Sequence, residues 1–259
     1  MANSMNQKQV ERWAPVIVLA ITLLLWQLIV VIFSVPEYIF PTPLQIAQQF
    51  IEFKGPLLEA AWRTFWVTMV GFGLSIVVGV LLGFLVGSSR LAYAAFYPLM
   101  VGFNAVPKAA ITPILVVWFG IGFGPGVLTA FLISFFPITV NIATGLATLE
   151  PELEDVLRVL GARRWDVLVK VGLPRCMPFF YGSLKIAITL AFVGTVLAEM
   201  TAGDSGIGYL MQSAGSQQRM SLAFAGLVTI GAMAMIMYEL FSYIEKHTTA
   251  WAHRGSQGG

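Results

Sequence analysis

The sequence predicts an all-α polytopic membrane protein with six transmembrane helices. Hydrophobic residues make up 58% of the 259 residues and charged residues only 11%. The mean hydropathy is +0.81, far above the range of water-soluble domains. Six apolar stretches are each about long enough to cross a bilayer as a helix. Their predicted bounds are 15–33, 65–86, 97–118, 127–147, 179–200 and 222–243.

The segments between the spans complete the predicted organisation. We expect a short N-terminal segment at 1–13, a single transmembrane domain at 14–248 and a flexible tail at 249–259. The prolines between Ser34 and Ala60 indicate a connection that contains one interfacial helix, Leu44–Phe53. A glycine-rich turn at 203–208 should separate the last two spans.

The basic residues predict which side of the membrane each connection faces. With both termini in the cytoplasm, ten basic residues are cytoplasmic and three are external. Cytoplasmic connections of membrane proteins carry an excess of lysine and arginine. The cytoplasmic ten are Lys8, Arg12, Arg90, Arg158, Arg163, Arg164, Lys170, Arg175, Lys246 and Arg254, and the external three are Lys54, Arg63 and Arg219. We therefore predict a cytoplasmic N-terminus and C-terminus.

One face of the second span carries small residues at every fourth position. They are Gly71, Ser75, Gly79, Gly83 and Gly87. Close backbone packing is a main source of attraction between helices in lipid, so this face should be a helix–helix contact. The spacing leaves open whether the contact lies within one subunit or between two.

The third span contains polar and helix-breaking residues where an ordinary span would be apolar. These are Asn104, Pro107, Lys108, Thr112 and Pro113. A lysine near the bilayer centre costs at least about 2.5 kcal/mol, and broken helices occur where protein covers them or where they line a water-filled path. A gate or pathway wall is our interpretation, and two harmless kinks with Lys108 reaching the interface are the alternative.

Two further polar residues within spans join this predicted pathway. Asn141 follows Pro137 in the fourth span, and Glu199 ends the fifth. Glu199 either pairs across the bundle with Lys108 or Lys185, or lies at the outer interface.

The charged stretch at 149–175 interrupts the apolar sequence. Between Glu150 and Arg175 it carries five acidic and five basic residues. Apolar residues recur at helical spacing on both sides of Gly161, which predicts two short amphipathic helices, Leu153–Leu160 and Arg163–Val169. Pro174 and Pro178 should then reset the chain before the next span. An ordinary amphipathic loop is the alternative.

The spacing within this stretch resembles the cytoplasmic coupling loop of ABC importer permeases. Gly161 is followed after nine residues by Val171-Gly172-Leu173-Pro174, and Asp155-Val156-Leu157 stands where that family has Glu-Ala-Ala. Other segments resemble the nitrate, sulfonate and taurine branch, which includes permeases for pyrimidine precursors and riboflavin. These segments are Pro107–Pro113, Trp118–Gly122, Phe135–Pro137, Gly145-Leu146, Ala198-Glu199 and Gly206–Leu210.

The resemblance implies a type I importer fold in a bacterial inner membrane. It also implies a homodimer bound to two cytoplasmic ATPase subunits, fed by an external substrate-binding protein. ATP and Mg would be bound by the ATPase, and no cofactor by this chain. The ATPase contact would be made by Asp155, Leu157, Arg158, Leu160, Gly161, Ala162, Arg163, Arg164, Trp165, Leu173 and Pro174. The solute would be an anion such as nitrate, a sulfonate or taurine, or a pyrimidine- or vitamin-type molecule.

The sequence offers little support for an enzymatic function. The G-x-x-x-x-G-K-[ST] phosphate-binding pattern does not occur, so the chain is not expected to be the ATPase itself. His247 and His253 lack companion ligands for a metal, Ser205 lacks a histidine partner, and Cys176 is a single cysteine. Nucleic acid is not expected as a partner. The competing functional classes are an ion-gradient-driven carrier or channel, and a membrane scaffold.

Overall fold

The computed structural model describes residues 2–148, 156–157 and 159–249, and these residues are α-helical apart from short turns. Among the described residues, five helices are long and apolar enough to cross a membrane, and the bent pair Arg90–Ala105 and Lys108–Phe119 would add a sixth span if it counts as one. The helices are α1 Ala2–Ile32, α2 Pro43–Glu52, α3 Lys54–Gly87, α4 Arg90–Ala105, α5 Thr112–Phe119, α6 Phe123–Ala147, α7 Arg164–Val167, α8 Leu173–Ala202, α9 Gly206–Ser216 and α10 Met220–Thr248. The prediction of an all-α polytopic membrane protein is confirmed.

Two helix starts differ from the sequence prediction. α3 begins at Lys54, so the predicted connection to Ala60 ends at Phe53. Pro56 lies in the first turn of α3, where the missing proline N–H would have no intrahelical partner. A π-helical turn, Leu168–Gly172, runs directly into α8, whose first turn contains Pro174. Pro178 lies inside α8, so the prediction that these prolines reset the chain is wrong.

The sequence prediction also missed α9. We expected a turn around Gly203–Gly208, but Gly206 already begins an eleven-residue helix. Three glycines in six residues suppress the helical pattern of the sequence, because glycine is a poor helix former. The predicted interfacial helix is present as α2, where Thr42 and Gln45 form a reciprocal capping box.

The described residues form two compact units. The first contains the residues up to Leu58 together with Leu210–Val228, and the second contains Glu59–Tyr209 and the residues from Thr229 onward. In the first unit Trp26 packs against Phe40 with ring centroids 5.2 Å apart, and its indole N–H donates to the Pro41 carbonyl oxygen. The single domain at 14–248 stays a prediction.

The core of the second unit is built around α6. Ala130 of α6 is fully buried, and a Cβ atom placed on Gly194 of α8 would lie 2.8 Å from its Cα. A Cβ on Gly71 of α3 would lie 2.7 Å from the Cβ of Ala130. α6 therefore contacts α3 and α8 closely, and at both contacts the residues are glycine or alanine, whose small side chains allow the backbones to approach. Such close packing stabilises helix pairs in lipid, where apolar burial alone does not.

Candidate functional site

The small-residue face of α3 contacts α6 of the same chain. A Cβ atom on Gly79 would lie 2.9 Å from the Cβ of Ile138, and one on Gly83 would lie 2.8 Å from that of Ile142. Between these glycines and Gly71, the Ser75 hydroxyl lies 2.6 Å from that of Ser134. At the end of the face a Cβ on Gly87 would lie 2.8 Å from the Ala143 carbonyl oxygen. The question left open by the spacing is thereby answered for this chain, because these residues face α6.

Toward the N-terminal end of α3, polar residues of this helix contact α8. Thr68 donates to the hydroxyl of Thr195, 2.8 Å away, and both side chains are fully buried. One turn earlier, the Thr64 hydroxyl lies 2.9 Å from both carboxylate oxygens of Glu199. The Glu199 side chain is only 7% exposed. Buried hydroxyls of this kind satisfy a carboxylate that lipid would otherwise leave without donors.

Glu199 also holds the first turn of α9. Its Oε2 accepts the Gly208 backbone N–H at 2.9 Å, while the Thr64 hydroxyl accepts that of Ile207 at 2.8 Å. Gly206 has a φ of +92°, and a Cβ atom there would overlap the Glu199 carboxylate. We call Thr64, Glu199, Ile207 and Gly208 the Glu199 clasp. It joins α3, α8 and α9 at one point.

Neither lysine proposed as a partner of Glu199 contacts it. Lys185 pairs with Glu245 of α10 at 2.6 Å, with side chains 19% and 15% exposed. Lys108 donates to Asn104 and lies 5.4 Å from the ring centroid of Phe136. The sequence analysis missed Thr64 altogether, although Thr64, Thr68 and Gly71 follow one another at spacings of four and three residues, which place them on one side of a helix.

The third span is broken, as its prolines indicate. α4 ends at Ala105, a 3₁₀ turn occupies Lys108–Ile111, and α5 begins at Thr112 at an angle of 70° to α4. Asn104, Pro107 and Pro113 are exposed, and Lys108 is half-buried. The structure thus brings Asn104, Pro107 and Lys108 together at the bend.

The remaining pathway candidates lie elsewhere. Thr112 is fully buried, and its hydroxyl has no hydrogen-bond partner among the described residues. Asn141 donates to the Pro137 carbonyl oxygen of its own helix. Glu199 belongs to the clasp. Within the described part of the chain, none of these three residues hydrogen-bonds to Lys108.

The segment around Gly161 forms a tight helix-ending turn. Gly161 has a φ of +88°, and the Ala162 N–H donates to the Leu157 carbonyl oxygen five residues back. This pair of features is the Schellman motif, which ends a helix at a glycine. The turn exposes Leu160 at 77%. Asp155 and Arg158 lie outside the described residues, as do the side chains of Arg164 and Trp165.

The chain beyond Gly161 runs without interruption into a membrane-spanning helix. The Arg163 N–H donates to Asp166, and Lys170 pairs with Asp166 at 3.0 Å on the surface. The hydrogen bond and charge of Lys170 lower the pKa of Asp166 below its usual range. α7, the π-helical turn and α8 follow each other, and Leu173 and Pro174 are exposed at their junction. A displacement of α7 would therefore act directly on α8.

Comparison with known proteins decides the family. Residues 75–249 match the binding-protein-dependent transport system inner membrane component family. The chain belongs to this family. It is 31% identical over 246 residues to a probable ABC transporter permease protein of Haemophilus influenzae, covering 92% of this chain and 97% of the relative. It is 30% identical to the riboflavin transport system permease protein RibX of Chloroflexus aurantiacus, covering 92% and 91%.

A third relative and a solved structure agree with this assignment. The formylaminopyrimidine transport permease protein ThiX of Halalkalibacterium halodurans is 27% identical, with 92% of this chain and 95% of ThiX covered. The inward-facing MetNI methionine ABC transporter contains a chain of similar fold, with a TM-score of 0.67 and 19% identity. The match covers 76% of this chain and 98% of that chain.

The family assignment fixes the general function. The chain is the multi-pass membrane permease of a binding-protein-dependent ABC importer, a non-catalytic subunit that works with an ATPase and a binding protein. It is therefore neither an ion-gradient-driven carrier nor a scaffold. Among the described residues no cluster of three or more potential metal ligands occurs.

Proposed function

We propose that two copies of this chain form the translocation path of the importer, and that each copy contacts one ATPase subunit through residues 149–175. The observation that supports this most strongly is the turn at Gly161. It places apolar side chains in an exposed position, with Val159 88% and Leu160 77% exposed. We assign N-terminus and C-terminus to the cytoplasm, which puts this turn on the ATPase side.

The chemistry around the turn fits a protein groove better than lipid. Arg163, Asp166 and Lys170 follow the apolar pair within ten residues, and all three are charged and partly or fully exposed. An apolar anchor surrounded by charged residues is the usual composition of a protein–protein contact. In the proposed complex Leu160 fills a pocket of the ATPase, and the charges orient the contact.

The continuity of the helices explains how ATP-driven movement would reach the membrane. α7 is joined to α8 through the π-helical turn, and Gly194 of α8 packs against Ala130 of α6. A rigid-body shift of α7 therefore displaces α8 and, with it, the helices of the second unit. Packed helices transmit such shifts because they are bistable rather than continuously deformable.

The bend of the third span is the proposed wall of the path. Lys108 and Asn104 lie there together, and a half-buried lysine provides positive potential for an anionic solute. The relatives named above transport riboflavin and formylaminopyrimidine, and others are named for aliphatic sulfonates and nitrate. We propose a solute of this group, either a small anion such as nitrate, a sulfonate or taurine, or a pyrimidine- or vitamin-type molecule.

The test is co-purification of the chain with its cognate ABC ATPase after co-expression. In Leu160→Glu a carboxylate replaces the apolar anchor, so we expect the ATPase recovered per permease to fall by roughly tenfold or more. Lys246→Glu changes an exposed charge at the end of α10 and serves as the control, with recovery unchanged. Full recovery with Leu160→Glu, together with unchanged ATP hydrolysis in nanodiscs, would disprove the assigned contact.

A further inference from the structure

A cavity of about 350 Å³ lies in the second unit where α8 ends and α6 begins. Its apolar wall consists of Trp62, Trp66, Val67 and Phe123, and its polar groups are Arg63, Glu199, Asp204 and Ser205. We call it the Trp62 cavity. Since one water molecule occupies about 30 Å³ in the liquid, the cavity has room for a group of several heavy atoms.

The residues around the Trp62 cavity indicate that it lies at the level of the lipid headgroups. Trp62 and Trp66 are 60% and 50% exposed, and their rings meet edge to face 5.6 Å apart. Tryptophan concentrates at membrane–water interfaces, where its ring is apolar and its N–H is wet. The apolar span of α8 ends at Ala202, and that of α6 begins at Phe123, so both helices leave the hydrocarbon beside the cavity.

Opposite charges line the cavity without neutralising each other. Arg63 is exposed and forms no ion pair within the part of the chain that the structure describes. The Asp204 carboxylate accepts from the Ser205 hydroxyl at 2.8 Å. Glu199 closes the floor, where the hydroxyl of Thr64 and the N–H of Gly208 already bind it. The cavity thus offers one cationic group and two anionic groups to a ligand.

We propose that the Trp62 cavity binds the headgroup of a zwitterionic aminophospholipid. The lipid phosphate would contact the Arg63 guanidinium, which suits a tetrahedral oxyanion through its planar fork of donors. The primary ammonium would donate to the oxygens of Asp204 and Ser205. The acyl chains would continue along Trp66 and Phe123 into the bilayer.

The choice of ligand follows from the same residues. A purely anionic lipid would meet the repulsion of Asp204 and Glu199, whereas a zwitterion matches both signs of charge. A quaternary choline headgroup carries no N–H and so donates no hydrogen bond to the Asp204 carboxylate or the Ser205 hydroxyl oxygen, although aromatic rings still attract it. Free phosphoethanolamine has the same charged groups but leaves the indole and phenyl walls in water. The aminophospholipid pairs with Arg63 and Asp204 and also covers the apolar wall of the cavity.

The experiment measures the lipids that remain bound to the full-length chain after purification. The protein is equilibrated in mixed micelles with equal amounts of phosphatidylethanolamine and phosphatidylcholine, and native mass spectrometry counts the bound lipids. We expect one phosphatidylethanolamine per chain, favoured over phosphatidylcholine by roughly tenfold because charge-assisted hydrogen bonds are lost with choline. Arg63→Gln and Asp204→Asn should each lower this retention by a similar factor.

Matched variants separate binding from folding. Arg90→Gln is the matched control, because it too removes an exposed arginine. Arg90 begins α4 and lies outside the cavity, so the lipid retention of this variant should equal that of the wild type. Arg63→Lys keeps the charge and should regain part of the retention, and a single elution peak shows that each variant is folded. Equal retention of both lipids by the wild type, or unchanged retention in both cavity variants, would overturn the proposal. Tight binding of free phosphoethanolamine without the lipid would also overturn it, because the site would then serve a solute.

Discussion

Replacement of Thr64 by valine tests the Glu199 clasp. The Thr64 hydroxyl donates to the Glu199 carboxylate and accepts the Ile207 N–H, so one atom joins α3, α8 and α9. Valine has nearly the same shape as threonine and therefore removes the hydroxyl without opening a cavity. Thr64→Ser is the matched control, because it keeps the hydroxyl and loses only a methyl group.

The expected loss of stability follows from the groups left without partners. In Thr64→Val the Ile207 N–H has no acceptor and the buried carboxylate loses one donor. An unsatisfied buried group costs about 1–3 kcal/mol, while hydrogen bonds between membrane helices average about 0.6 kcal/mol. We expect Thr64→Val to lower the free energy of unfolding by about 2–4 kcal/mol, and Thr64→Ser to lower it by about 1 kcal/mol.

Thermal unfolding in detergent, followed by tryptophan fluorescence, provides the assay. For a chain of this size 1 kcal/mol corresponds to a shift in Tm of about 2–4 °C, so Thr64→Val should lower Tm by roughly 5–15 °C. The serine variant should stay within a few degrees of the wild type. If valine and serine produce the same shift, the hydroxyl contributes nothing measurable and the reasoning about the clasp is wrong.

Two further variants test the packing of the second unit. Gly83→Ala should lower the free energy of unfolding by about 1–3 kcal/mol, because its Cβ would lie 2.8 Å from α6. Gly73→Ala is the control, because it lies on the open side of α3 and should not destabilise the protein. Equal effects of the two variants on Tm would contradict the close contact. Lys185→Met should lower the free energy of unfolding by about 3–5 kcal/mol, because Glu245 is left as an unpaired, mostly buried charge. The double variant Lys185→Met/Glu245→Met should recover most of that loss, and a double variant no more stable than Lys185→Met would refute the pairing.

The prediction of the helices succeeded where the physical signal is local. A bilayer accepts long apolar helices, so the spans are readable from the order of the residues alone. The glycine spacing of α3 marked a contact face, and the prolines marked the break between α4 and α5. The helix-ending turn at Gly161 likewise depends on the one residue that tolerates its positive φ.

The partners of the polar groups were not readable in this way. Lys108, Lys185, Glu199 and Glu239 are the charged residues within the predicted spans, and the sequence left Glu199 either paired with one of the lysines or at the outer interface. The structure instead assigns Glu199 to the Thr64 hydroxyl and the Gly208 backbone N–H, and Lys185 to Glu245. A neutral hydroxyl and a backbone amide carry no distinctive sequence signal, so no pattern pointed to them.

The sequence by itself determined that this chain lies in a membrane as a helical permease, because hydropathy and motif spacing are properties of the chain order. Tertiary structure alone decided that the small face of α3 meets α6, that α7 continues into α8, and that a carboxylate holds the start of α9. These contacts depend on which helices approach one another and on which residues along each helix meet. That choice is made by the packing of all the helices together, and it is not encoded in any one segment.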